Sequence, residues 1–365
     1  MGKRELFIIL GFVAVGVVAY QLTAPASTSE GFSFSKVWEA MRREVHGNPS
    51  HAETTLTGAI PVTESLSEVR FDNISRLHVL GEMRKDVSYE LKVESNGPDE
   101  ATALSYAKAA QLVTDDMGTA VTFRVKLPQE GRQTTELTIK VPLRLNVRVQ
   151  GGSRLDVSNV ASVRLDGVSS TVKIHSIAGP VTGTHRGGEL EVIGVGSVRL
   201  TLQGSHAAFH EITQPIALDL RAGTECEIDR PKGAVEIEES NSEVKIVQPE
   251  GTVRIGGERG RILVEAPGNE TRVDVRRAEV EVLLRKAVPV TLVTTDEELR
   301  LLLEGPPAIK LDAVAPNGQI STPELDVNVE TSDREARLAH TFGDNATARV
   351  SLRNLRGEIV IRMAK

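Results

Sequence analysis

The stretch "VEIEESNSEVKIVQPEGTVRIGGERGRILVE", Val235–Glu265, decides the fold class. It splits into units that begin apolar–polar–apolar: Val235/Ile237, Val244/Ile246, Val253/Ile255 and Ile262/Val264. Between these starts the chain is rich in Glu, Asn, Ser, Pro and Gly. Alternation places the two apolar side chains on one face of a short strand. The turn-forming remainder rounds a corner. A strand of this length cannot bury its face alone, so neighbouring units must stack.

Working outward, the period of about nine continues in both directions. Towards the N-terminus, units start at Val163, Val172, Val181, Leu190, Val198, Ala207, Ile216 and Cys226. Beyond Ile262 they run less regularly through Val273, Val280, Val290, Leu299 and Ile309. The expected fold class is therefore mainly β: a single-stacked β-solenoid over 143–365, closed by a capping rung in Ala336–Lys365. Two strands per coil would need 18–20 residues per turn, and three remain open. A β-sandwich of regular hairpins is the competing architecture, but so many consecutive units would need several sandwiches.

Ahead of the array, 62–142 reads as a small α+β unit. Leu77–Leu80, Val87–Val93, Val121–Leu127 and Thr134–Val141 alternate as strands. Asp99–Asp116 is Ala-rich, with Ala103, Tyr106, Ala107, Ala110 and Val113 on one face of an expected helix. Residues 23–61 read as a linker holding a short amphipathic helix, Lys36–Gly47, with His46–Pro61 as loop. That helix either lies at a membrane interface through Trp38 or caps the following domain.

Residues 1–22 carry a different signal. Lys3 and Arg4 precede "LFIILGFVAVGVVAY", Leu6–Tyr20, which holds no charge. With Gln21 and Leu22 the run is just long enough for one transmembrane helix. The alternative is a cleaved signal peptide, with small residues at Ala24 and Ala26 before Ser27. Either way the body is exported, and the Lys3/Arg4 bias puts the N-terminus inside and the body outside. The expected location is a bacterial membrane, with the body periplasmic or extracellular.

Composition narrows function by exclusion. The 365 residues carry a net charge of -7, and only 3% are aromatic. No basic stripe is interleaved with aromatics, so nucleic acid is not an expected partner. The single cysteine, Cys226, makes an intramolecular disulfide impossible and occupies the core position of its unit. His175, His185, His206 and His210 are the best metal candidates, but with two strands per coil His175 and His210 stand two coils, about 10 Å, apart. They read as surface residues. Asp219, Asp229 and Glu238 share the fourth position of their units. Paired carboxylates at about 5–9.5 Å are what glycoside hydrolysis needs. Glu225, Glu227, Glu236, Glu239 and Glu243 crowd the same stretch, which favours a solvated acidic face. No residue is assigned a catalytic, cofactor-binding or metal-binding role.

Two segments carry a resemblance. "TIKVPLRLNVRVQGGSRLDVSNV", Thr138–Val160, and "HTFGDNATARVSLRNLRGEIVI", His340–Ile361, resemble the first and closing strands of the bacterial putative-adhesin domain family, of auto-transporter adhesin head type. The likeness spans about Leu77 to Lys365. It implies an exported, repetitive, adhesive surface protein, and it transfers no catalytic residue. The expected function is a membrane-tethered, non-enzymatic structural, adhesive or scaffolding role at the cell envelope. The membrane is met through residues 6–22, an envelope polysaccharide or protein is the partner, and self-association is open. The alternatives are a carbohydrate-active β-helix enzyme using Asp219, Asp229 and Glu238, and a polymer-forming scaffold resembling bactofilins.

Overall fold

The computed structural model describes residues 50–305 and 307–364. The strands form two large sheets, one of 15 strands and one of 16. Through the central region, successive strands go to the two sheets in alternation. Val235–Ser240 belongs to the 16-stranded sheet, Glu243–Val247 to the 15-stranded sheet, and Val253–Glu258 again to the former. Pairing within a sheet is parallel here: Val235 stands beside Val253, and Val244 beside Ile262.

The alternation in sequence explains the packing. Val163, Val181, Val198, Ile216, Val235 and Val253 stand side by side in register, all buried. Burying each such side chain contributes roughly 1.5–3 kcal/mol, and β-branched residues suit a pleated, half-buried surface. Inward residues of both sheets join one hydrophobic core. Corners are closed by left-handed residues. Arg230, Gln248 and Ala266 have φ of 47°, 48° and 51°, and their N–H groups donate to the carbonyls of Val247, Glu265 and Leu283 at 2.9, 2.8 and 2.8 Å. The ladder of backbone bonds thus continues around the turn, and these three amides are paired.

The expected fold class needs correction. In place of a single stack in chain order, the sheets are mixed, and neither closes on itself. Asp86–Gly97 runs antiparallel to Gln133–Pro142, Gln111–Asp116 to Ala120–Lys126, and Ile309–Pro316 to Glu335–Phe342. At the C-terminal end Ala348–Asn354 lies between Val290–Thr294 and Ile309–Pro316. Glu358–Met363 likewise lies between Leu299–Leu303 and Gln319–Ser321. The 336–365 segment is therefore no terminal cap. Its strongly apolar strands bury Val350, Leu352, Ile359 and Ile361, while the short polar strands Gln319–Ser321 and Glu330–Ser332 take the sheet edges. Short, polar edge strands offer little template for unwanted pairing.

The N-terminal part differs from expectation in three ways. Residues 50–61, assigned to a linker, are the edge strand Ser50–Pro61; its Thr-rich sequence has β propensity but few apolar residues to reveal it. The helix ends at Ala109, and Gln111–Asp116 is a strand. Asp99 caps the helix, accepting the Thr102 N–H at 2.7 Å, and Ala103 and Ala107 are buried; beyond them Val113 and Thr114 favour a strand over a further turn of helix. Strands Glu68–Asp72 and Arg76–Glu82 also pair directly with Asn146–Gln150 and Arg154–Ser158, so both sheets continue across position 142.

Among the described residues, no helix is long and apolar enough to cross a membrane. The transmembrane helix is accordingly no part of the fold described here. The apolar run 6–22 and the segment Lys36–Gly47 lie outside the described residues.

Candidate functional surface

On the outer face of the 16-stranded sheet, parallel register lines up polar side chains in columns. One column runs Arg148, Arg164, Thr182, Arg199, Ala217, Glu236, Arg254. The next runs Asp166, Thr184, Thr201, Asp219, Glu238, Gly256. The small residues Thr182, Thr201 and Ala217 sit between longer ones, and this leaves an open depression of about 520 Å³. Arg164 and Arg199 line it towards one end; Asp219, Glu236 and Glu238 line it towards the other.

Ion pairs set the charge of this face. Burial works to raise the carboxyl of Asp166, but hydrogen bonds from Arg164 and Arg148 outweigh it and hold the group below the usual carboxylate range. Asp219 spends both oxygens on Arg221, accepting at 2.9 and 2.6 Å. Arg199 is exposed and makes no ion pair among the described residues.

Of the three carboxylates weighed for glycoside chemistry, Asp219 and Glu238 are direct neighbours. Asp229 belongs to the other sheet, beside His210, with its Oδ2 3.1 Å from Arg230. The acidic stretch is divided in the same way. Glu236 and Glu238 face out from the 16-stranded sheet, while Glu225, Glu227 and Glu243 face out from the 15-stranded sheet. There they line a second shallow depression with Glu189, Glu191 and His206. Lys245 reaches Glu227 at 2.9 Å, and that hydrogen bond raises its ammonium above the ordinary lysine range.

The histidines do not converge. His175 and His210 are separated by Ile193 in the same row, two strands apart. His206 pairs instead with Glu225 at 2.8 Å. His185 corrects the expectation of a surface residue, being 0% exposed. Its Nε2 lies 3.0 Å from the Ser170 carbonyl and its Nδ1 3.0 Å from the Ser205 hydroxyl. A carbonyl only accepts, so Nε2 carries the proton and Nδ1 accepts from Ser205. Burial holds the imidazole below its usual range. Among the described residues no group of three His, Cys, Asp or Glu is placed to hold a metal ion. Cys226 is buried in register with Ala207 and Val244, and burial pushes its thiol up.

Sequence reasoning missed Glu239, which was grouped with the solvated acids. It is 4% exposed and faces inward. A signal existed: in alternate units the fifth residue is also apolar, as at Leu202 and Leu220, and Glu239 occupies that position in register.

No family model matches the chain, and no curated protein does either. Solved structures do show likeness. A putative adhesin from Parabacteroides distasonis is 10% identical with a TM-score of 0.34, over 85% of this chain and 97% of that one. A putative adhesin from Parabacteroides merdae is 13% identical with a TM-score of 0.25, over 86% and 97%. A putative lipid binding protein from Parabacteroides distasonis is 12% identical with a TM-score of 0.31, over 86% and 97%. Two of these three are named putative adhesins, the name of the family that Thr138–Val160 and His340–Ile361 resemble. At such identities the likeness transfers no residue role to this chain.

Proposed function

We propose that this chain is an exported, non-enzymatic adhesive protein of the bacterial cell envelope, and that it grips an extended polar polymer, an envelope polysaccharide, on the outer face of its 16-stranded sheet. The observation that carries this is the column arrangement itself. Hydroxyl, guanidinium and carboxylate groups recur from strand to strand across an open depression around Thr182, Thr201, Arg164 and Arg199. A surface that repeats suits a ligand that repeats. A catalytic centre instead needs a nucleophile or acid and base converging on one reacting atom, and Asp219 is engaged with Arg221. Two of the structural neighbours are named putative adhesins, which agrees with an adhesive role. Export and association with a membrane through residues 6–22 rest on the apolar run alone; mature protein found to start at Ser27 would refute retention.

The test is to measure binding of purified protein to envelope polysaccharides while assaying for released sugar. Arg164→Ala with Arg199→Ala should weaken binding about tenfold, and no sugar should be released. Sugar release abolished by Asp219→Asn or Glu238→Gln would establish a glycoside-cleaving enzyme and sink the adhesive proposal.

A further inference from the structure

Among the described residues, the only buried side-chain oxygen or nitrogen without a hydrogen-bond partner is Oε1 of Glu239. Its other oxygen, Oε2, accepts the Ser242 N–H at 3.3 Å. In register, Leu220 and Gly257 lie on either side of it. The space it occupies is kept by glycine. A Cβ at Gly257 would stand 2.9 Å from the Glu239 Cγ, and one at Gly260 would stand 2.6 Å from Oε2.

We propose that Glu239 is a proton-controlled latch: its carboxyl stays inside this glycine-lined corner while it carries a proton, and on ionisation it leaves, loosening the corner formed by Ser240, Asn241 and Ser242. A carboxylate met by one long backbone N–H bond and by no cation, with its other oxygen unpartnered, is too poorly compensated to stay buried. Burial pushes the carboxyl up to about 7, against the opposing pull of the Ser242 N–H, and the carboxylates of Glu258 and Glu238 push the same way as burial. Cations on the neighbouring elements face away or are engaged elsewhere: Arg254 lies on the outer face of the next strand. Arg221, beside Ser240, is held by Asp219 at 2.6 Å; Arg259 and Arg277 are held by Glu258 at 2.7 and 3.6 Å. Arg276 lies one strand further on, opposite Glu258.

The corner passes any loosening to its neighbours through backbone bonds. The Asn241 N–H donates to Glu258, the Glu243 N–H to Thr224, and the Arg261 N–H to Ser242, at 2.9, 2.8 and 3.1 Å. The same strand carries Glu236 and Glu238 on its outer face, so one wall of the depression is tied to the latch. The latch itself does not depend on what that face binds.

Hydrogen exchange of the full-length protein at pH 6.0 and 8.5, corrected for intrinsic rates, tests it. In the wild type, amides of Asn241–Glu243 and Arg259–Arg261 should lose tenfold or more of their protection at pH 8.5, while those of Arg154–Ser158 keep theirs. Glu239→Gln should abolish the difference. Glu239→Leu, which matches Leu202 and Leu220, should do the same and serves if the amide variant folds poorly. Equal wild-type protection at both pH values, or an unchanged loss in either variant, would overturn the latch.

Discussion

His185 and Glu239 lie in one inward row, separated by Leu202 and Leu220, and they resolve the same problem in opposite ways. His185 is buried neutral with both ring nitrogens bonded. Its ionisation is depressed by burial, so the stability it contributes is present above its unfolded pKa of about 6.5 and is lost as pH falls below that. Glu239 has a raised pKa. Its contribution is fully present below the unfolded value of 4.5 and is lost as pH rises through about 7; the full loss is about 3 kcal/mol at most. Urea midpoints should therefore fall on both sides of mildly acidic pH. Glu239→Gln should remove the alkaline arm and leave the acid arm. If the variant keeps the alkaline fall, another group is responsible. Cys226 gives a simpler check. A fully buried thiol with a raised pKa is inert, so iodoacetamide should label it only in denaturant, and fast labelling of native protein would mean that this rung opens.

At the scale of the element, strand register sets what a substitution costs. Val235 is 1% exposed and Glu236 is on the outer face. Val235→Asp buries an unpaired charge and should cost about 3–5 kcal/mol; Glu236→Lys should shift stability by about 0.5 kcal/mol or less. Equal thermal shifts would mean the register is wrong. Gly183 and Gly187 form a second pair. Both have positive φ, but a Cβ at Gly183 would stand 1.9 Å from the Leu165 carbonyl oxygen, whereas Gly187 faces open space. Gly187→Ala should cost roughly 1–2 kcal/mol, and Gly183→Ala clearly more by calorimetry. The alternation that supports these estimates was legible in single units such as Val244/Ile246. Strand order at the two ends was not: Val350 beside Val290 joins residues remote in the chain, and nothing in either unit's local pattern marks the partner. The candidate surface was half legible. Asp219 and Glu238 share a position in their units, but whether Asp229 lies between them or on the other sheet depends on strands per turn, which periodicity leaves open. Glu239 was hidden because a glutamate among glutamates reads as solvated unless the fifth-position rule of Leu202 and Leu220 is applied.

For the whole molecule, charge is balanced internally before it is offered to a partner. Past the acidic residues Glu225–Glu243, several arginines are met by nearby carboxylates: Arg261 meets Glu279 at 3.7 Å, Arg277 meets Glu258 at 3.6 Å, and Arg285 meets Glu304 at 2.5 Å. Arg199, which makes no ion pair among the described residues, remains available over the depression. Because the face repeats from strand to strand, affinity for a polymer should grow with the number of strands covered. From Arg164 through Thr182, Arg199 and Ala217 to Glu236 the depression crosses five strands, which at about 4.8 Å per strand is about 19 Å. Binding of a graded series of oligosaccharides should strengthen with length up to about 20 Å and then level off, since each added contact is made without a further loss of overall rotational and translational freedom. The arginine contacts should make that binding salt-dependent, weakening as ionic strength shortens the screening length to about 8 Å or less. If a single sugar binds as tightly as the longest oligomer, one point site holds the ligand, and the columns around it are surface decoration.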